Sequence, residues 1–416
     1  MPVVRRRHAA SPGRTSPRRA SDRPALVSIA PPLRRPAWLL VALIALSIQS
    51  VTLLVGIEAF PDLKSSPACI AIIGVTALGV CGVVARIVFK WCGCQPSLWA
   101  AFFAVTCWSA AIDLLLACSL VNLTKLGSFY MEVGEEYFKS SWGFFALAWD
   151  GTAHYALQLF LAHATLLERP CRCAGLFWCG SIINSMPVLL LGAATGRFGA
   201  DIKPSTALNA PYVLVPIAYL CRTLPSQPHE LARSREQGFR GKPQRRSPAM
   251  ARSEVATWCV LNVVAMTLHS WRAVVALGSP ADAAEWWRAH VDGALADAHR
   301  ASHGFVRVQA LVAAFYYAPY HAWAVYQLLQ LQRPIGRATA ACLTRLATWS
   351  VVFAGAAVQA QVTSFGSTAF QWEGFGALVP LSPSALSITV GFVMALLPCA
   401  FAWRMVTMPA VTVEAP

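Results

Sequence analysis

Charge is what this sequence has least of. Only 13% of its 416 residues are Asp, Glu, Lys or Arg, against about 25% in an average soluble domain. A soluble enzyme of this size needs a charged surface, and this chain cannot supply one. Acids are the scarcer sign: 19 Asp and Glu face 34 Lys and Arg, a net charge of +15. Soluble-enzyme motifs are missing too, with no phosphate-cradling glycine loop, no GxSxG and no HExxH. The 13 cysteines are scattered, mostly inside apolar runs, without the paired framework of a secreted disulfide domain. What remains in abundance is apolar. Hydrophobic residues make up 56% of the chain, the mean hydropathy is +0.51, and 15 Trp with 20 Phe exclude disorder over most of the length. That composition describes an all-α polytopic membrane protein.

A spanning helix needs roughly 20 mostly apolar residues. Ten stretches qualify, at about 38–57, 68–89, 98–120, 142–166, 174–195, 207–222, 255–277, 306–330, 342–363 and 385–406. The sixth is the shortest and carries Pro211 and Pro216. Basic residues are unevenly shared between the two sides that ten spans define. The side holding both termini and the 223–254 loop collects 25 Lys and Arg, the other side 8, so both termini are expected in the cytosol.

This pattern divides the chain into a basic cytosolic arm (1–36), a transmembrane hairpin (37–95), a four-span unit (96–222), a basic linker (223–254), a second four-span unit (255–404) and a tail (405–416). The arm is Arg-, Ser- and Pro-rich with one acid, Asp22. A transit peptide shares that composition, but the prolines oppose the amphipathic helix it needs, so a disordered arm is expected. Arm and linker both suit anionic lipid headgroups rather than nucleic acid.

Ionisable groups within spans are expensive and are functional candidates by default. The third span carries Asp113, with Trp108 and Ser109 nearby; Ser109 and Asp113 share a helix face. The fourth carries Asp150 and His154, again on one face, beside Trp149 and Tyr155. The loop between them holds Glu132, Glu135, Glu136 and Tyr137. Two acids at membrane depth cannot both be charged and unpaired, so protonation or a His–Asp pair is expected. Three readings stay open: the acids fix helix packing by hydrogen bonds, they line a cavity that binds or transforms a lipid, or they serve proton or ion transport, for which no span shows a regular carboxylate relay. The second unit offers His269, Arg272, Gln309, Gln359 and Gln361, and no acid lies within its spans. Neither a metal nor a cofactor is expected. The pairs Cys92/Cys94 and Cys171/Cys173 suit S-palmitoylation or are inert thiols, and Asn122-Leu123-Thr124 is a sequon placed close to the bilayer.

The run GSFYMEVGEEYFKSSWGFFALAWDGTAHYALQLFLA is similar to the most recognisable stretch of the transmembrane 6 superfamily. The likeness continues through AGLFWCGSIINSMPVLLLGAATGRFGADIKPSTALNAPYVLVP and resumes at LVAAFYYAPYHAWAVY and VFAGAAVQAQVTSFGS, covering about residues 38–406. The resemblance implies two tandem EXPERA domains of four spans each, preceded by a hairpin, in the endoplasmic reticulum membrane, with the ER–Golgi intermediate compartment as a second location. It also implies kinship with emopamil-binding sterol isomerases, whose acids would fall near Asp113, Glu132 and Asp150. The isomerase histidine, four residues before the first acid, falls at Ser109, which cannot act as that acid. The resemblance therefore points to a protein that binds or handles a sterol or neutral lipid in lipid metabolism. The alternatives are an isomerase-like enzyme, with His154 substituting one turn after Asp150, and a membrane scaffold acting through its basic loop.

Overall fold

The computed structural model describes residues 36–95, 97–224, 250–296, 302–332, 337–372 and 378–408. The basic arm and the linker expected over 223–254 therefore lie outside the described residues, Pro36 and the linker's two ends apart. So do residues 409–416 of the tail.

The chain is built from fourteen described helices: α1 (Pro36–Glu58), α2 (Pro61–Lys64), α3 (Pro67–Trp91), α4 (Leu98–Leu120), α5 (Ser141–Trp149), α6 (Tyr155–Leu166), α7 (Arg172–Thr195), α8 (Ala210–Thr223), α9 (Arg252–Ala276), α10 (Asp282–His290), α11 (His303–Val312), α12 (Ala318–Gln330), α13 (Arg337–Ala369) and α14 (Ala385–Thr407). A two-stranded antiparallel hairpin, β1 (Phe370–Trp372) with β2 (Leu378–Pro380), pairs Gln371 with Val379. Seven helices among the described residues, α1, α3, α4, α7, α9, α13 and α14, are long and apolar enough to cross a membrane. The molecule is an all-α polytopic membrane protein.

The three other expected spans differ from unbroken helices in ways hydropathy does not register. The 142–166 span is α5 and α6 joined by a π turn, Asp150–His154, and the 306–330 span is α11 and α12 joined by another, Ala313–Tyr317. A π turn holds one extra residue, so it keeps the apolar run intact while rotating every later side chain. The 207–222 span is the 14-residue α8, with Pro211 in its first turn and Pro216 inside it. Proline is tolerated in a first turn, but within a helix it removes a hydrogen bond.

Burial orders the bundle. α7 and α13 run through its centre, whereas α1, α3 and α14 present most of their surface outward. Outward-facing apolar side chains such as Val41, Ile72, Val75 and Val83 suit acyl chains as neighbours. The central pair approaches closely through two glycines. A Cβ on Gly180 would overlap the Val352 carbonyl, and one on Gly355 would overlap the Phe177 carbonyl. Phe177 and Val352 are separated in sequence by the same distance as Gly180 and Gly355, so the contact is reciprocal. Asn184 and Gln359 have that spacing as well, and Asn184 Nδ2 donates to Gln359 Oε1 at 2.5 Å. At one end of this seam Trp142 stacks on Phe305, with ring centroids 4.6 Å apart, beside a Ser141–Ser302 hydroxyl contact of 3.0 Å.

Candidate functional site

The third and fourth spans carry their polar groups to one another because of a glycine. Gly151, the second residue of the Asp150–His154 π turn, lies against α4 so tightly that a Cβ would sit 2.6 Å from the Leu114 backbone. Asp150 precedes that contact on one helix and Asp113 precedes it on the other. Both carboxyls line one cavity enclosing about 1090 Å³ of atom-free space, part of it continuous with the outside.

The cavity has two kinds of wall. Leu53, Leu54 and Ile57 of α1 face Ile70 and Ile73 of α3, a purely aliphatic side. Asp113, Glu135, Asp150, Asn209 and Tyr212 add polar groups to the same lining, as does Tyr130, which packs against the aliphatic cluster of α1 and α3. Ser109 meets the Tyr212 hydroxyl there, through a short hydrogen bond. An amphiphile with one hydrogen-bonding end matches that division.

His154 stands behind Asp150 rather than in the cavity. Its Nδ1 lies 2.5 Å from Asp150 Oδ1, and its Nε2 lies 2.7 Å from Ser181 Oγ. The Trp149 indole N–H donates to Nε2 at 3.1 Å. An Nε2 that accepts puts the proton of a neutral ring on Nδ1, pointing at the carboxylate. Trp149 and Ser181 thus set the tautomer, and His154 orients Asp150.

Glu135 is reached from a different direction. The loop after α4 forms a π turn, Tyr130–Gly134, which tucks Glu135 inward. Asn209 Nδ2 donates to Glu135 Oε1 at 2.9 Å, and Ser205 Oγ donates to the adjacent Gly134 carbonyl at 2.7 Å. Burial pushes the Glu135 carboxyl up to about 7, the hydrogen bonds from Tyr137, Tyr130 and Asn209 holding it back from rising further. Glu132, the acid that the resemblance singled out, is exposed and is not among the cavity's lining residues. Nothing in the EVGEEYF run separates the two acids; the turn preceding Glu135 does.

Of the other sequence candidates, Trp108 lines the cavity, Trp149 bridges His154 to Ser181, and Tyr155 is half-buried outside the lining. The second-unit candidates gather elsewhere. Gln309 and Gln359 both meet Asn184, whose Oδ1 also accepts from the Tyr317 hydroxyl at 2.7 Å. His269 stacks on His321 at 5.5 Å and meets Tyr317 edge-on at 4.9 Å, while Phe353 stacks on Tyr320 at 3.9 Å. Arg272 is held by both oxygens of Asp292, at 2.8 and 2.9 Å, and Trp287 donates to the same carboxylate. Arg272 therefore clamps the segment after α10 to α9. Gln361 lines a small crevice beside that pair. Among the described residues no three His, Cys, Asp or Glu side chains gather as metal ligands would.

Residues 49–234 match the family model described as Transmembrane 6 superfamily member 2-like, transmembrane domain. The chain is similar to the human (Homo sapiens) protein Transmembrane 6 superfamily member 2, with 29% identity over 311 residues, 74% of this chain and 78% of that one. The rat (Rattus norvegicus) protein of that name is also 29% identical over the same coverage, and the mouse (Mus musculus) protein 28%. No solved structure matches.

Proposed function

We propose that this chain, which belongs to the transmembrane 6 superfamily, binds and handles a sterol or neutral lipid within the endoplasmic reticulum membrane, in support of lipid metabolism. The observation that carries the reading is the two-sided cavity, aliphatic along α1 and α3 and polar at Asp113, Glu135 and Asp150. A hydroxyl at one end of a lipid finds both donors and acceptors there, and its apolar body finds only hydrocarbon.

The same proposal includes two tandem EXPERA units, 96–222 and 255–404, behind the hairpin, with both termini cytosolic. Two features support the repeat. Each unit has a π turn at the corresponding point of its second span, closed by His154 in one and Tyr317 in the other. The Gly180 and Gly355 contacts are reciprocal, as a two-fold relation between the units requires. Beside its own π turn the second unit packs the rings of His269, Tyr317, His321 and Phe353.

Mass spectrometry of lipids retained by the purified protein tests the reading. One sterol or neutral lipid species should be enriched over the bulk membrane. Asp150→Asn should weaken its retention several-fold, by a hydrogen bond of roughly 1 kcal/mol, without lowering the melting temperature. Retention of bulk phospholipid alone, or an unaffected Asn variant, overturns it. Three carboxyls around one apolar space favour a second reading, an isomerase-like acid–base shift of a sterol double bond. Incubation with sterols separates the two, since only the enzyme returns a product with its double bond moved.

A further inference from the structure

α1 and α3 each pack on α4 more extensively than on one another. A furrow is left between them, open on the outward face of the hairpin and enclosing about 1170 Å³ of atom-free space. Leu46 and Gln49 of α1 line one bank, and Thr76, Ala77, Val80 and Val84 of α3 line the other. Leu53, Ile73 and Trp108 line both the furrow and the polar-floored cavity. Those three side chains, one from each helix, are the divide between the two spaces.

Two further observations concern what the furrow holds. Its α3 bank runs from Ile72 to Val84, about 18 Å at 1.5 Å per residue. That length fits one elongated apolar body. Gln49, exposed in the middle of α1, adds one amide to an otherwise apolar α1 bank.

We propose that the furrow between α1 and α3 is the lateral access route to the cavity and the seat of the ligand's apolar far end, with Leu53, Ile73 and Trp108 as the gate. The occupant is a membrane lipid with one hydrogen-bonding end and one elongated apolar body. It leaves the bilayer between the two hairpin helices, passes the gate and places its polar end among Asp113, Glu135 and Asp150. The proposal rests on the lipid-binding reading of that cavity and adds the route and the orientation.

The full-length protein in phosphatidylcholine nanodiscs tests it with two photoreactive sterols. One carries a diazirine on the rings close to the hydroxyl, the other a diazirine at the end of the side chain, and adducts are mapped by peptide mass spectrometry. The ring probe should label the peptides of Asp113 and Glu135, and the side-chain probe those of Gln49 and of Thr76–Val84. Labelling of the cavity by the ring probe, with the side-chain probe on other helices, overturns the route and leaves the cavity reading standing. Absence of both probes from the cavity overturns that reading itself. Ala77→Trp fills the furrow from a half-buried position away from the polar residues, and should slow sterol uptake at least tenfold at an unchanged melting temperature. Trp108→Ala should speed exchange several-fold. Uptake by Ala77→Trp at the parental rate overturns the route, as does a dimer whose α1 and α3 faces are shielded from the side-chain probe by a second copy.

Discussion

Gly180→Leu is expected to leave no monodisperse protein after extraction, and Gly355→Leu to do the same. α7 and α13 meet backbone to backbone at these glycines, and the atoms a side chain would strike are the Val352 and Phe177 carbonyls. Overpacking a core that can adjust its side chains costs about 1–3 kcal/mol. Here no rotamer relieves the overlap; the helices themselves must separate, and with them goes the Asn184 hydrogen-bond network that joins α7 to α11 and α13. Close approach through small residues is how helices associate in a membrane, where no hydrophobic force draws them together. The loss should therefore approach the whole stability of the seam. Gly79→Ala is the control, since its Cβ would meet nothing within 4 Å. Fluorescence-detected size exclusion and thermal melting read the comparison. A Gly180→Leu variant that elutes and melts like the parent would show that the helices do not cross so closely.

Much of this architecture can be read in the apolar runs, because a bilayer demands length and tolerates little charge. The runs do not carry helical register, so the π turns at Asp150–His154 and Ala313–Tyr317 are invisible in them. Asp113 and Asp150 stand out because hydrocarbon surrounds them in the sequence, and the fold brings both to one cavity. Glu135 does not stand out, since Glu132 and Glu136 flank it and only the chain's path through Tyr130–Gly134 chooses among them. Asn184 lies in a run of Ile, Ser and Met where a single amide reads as incidental, and its partners sit more than a hundred residues away. His269 and Arg272 show the converse. They are conspicuous in sequence, yet one is enclosed by His321 and Tyr317 and the other by Asp292, contacts that only tertiary packing reveals.

The protein's stability should fall as pH rises toward neutrality and its ligand affinity as pH rises past it, both through Glu135. Burial lifts this carboxyl from 4.5 to about 7, so the folded state holds the proton more tightly than the unfolded chain does. Below about 4.5 both states are protonated and the stabilising contribution is fully present. Between there and about 7 the folded state binds more protons than the unfolded one, and stability declines with each step in pH. Above about 7 the contribution is gone. A shift of that size corresponds to a decline on the order of 3 kcal/mol. The groups around Glu135 are Tyr130, Tyr137, Asn209 and the other two cavity carboxyls, Asp113 and Asp150; none is a base that would hold the anion in place. A neutral lipid entering the cavity expels water from this carboxyl and strengthens its hold on the proton further. Affinity for a sterol probe should then be flat below about 7 and fall by up to tenfold per unit above it. Glu135→Gln mimics the protonated acid and should remove both slopes, in melting curves recorded from pH 5 to 8 and in binding isotherms from pH 6 to 9. A ligand with a cationic amine would reverse the sign, binding more tightly as the anion forms. Parental affinity that stays flat from pH 6 to 9 would exclude Glu135 from the ligand's surroundings.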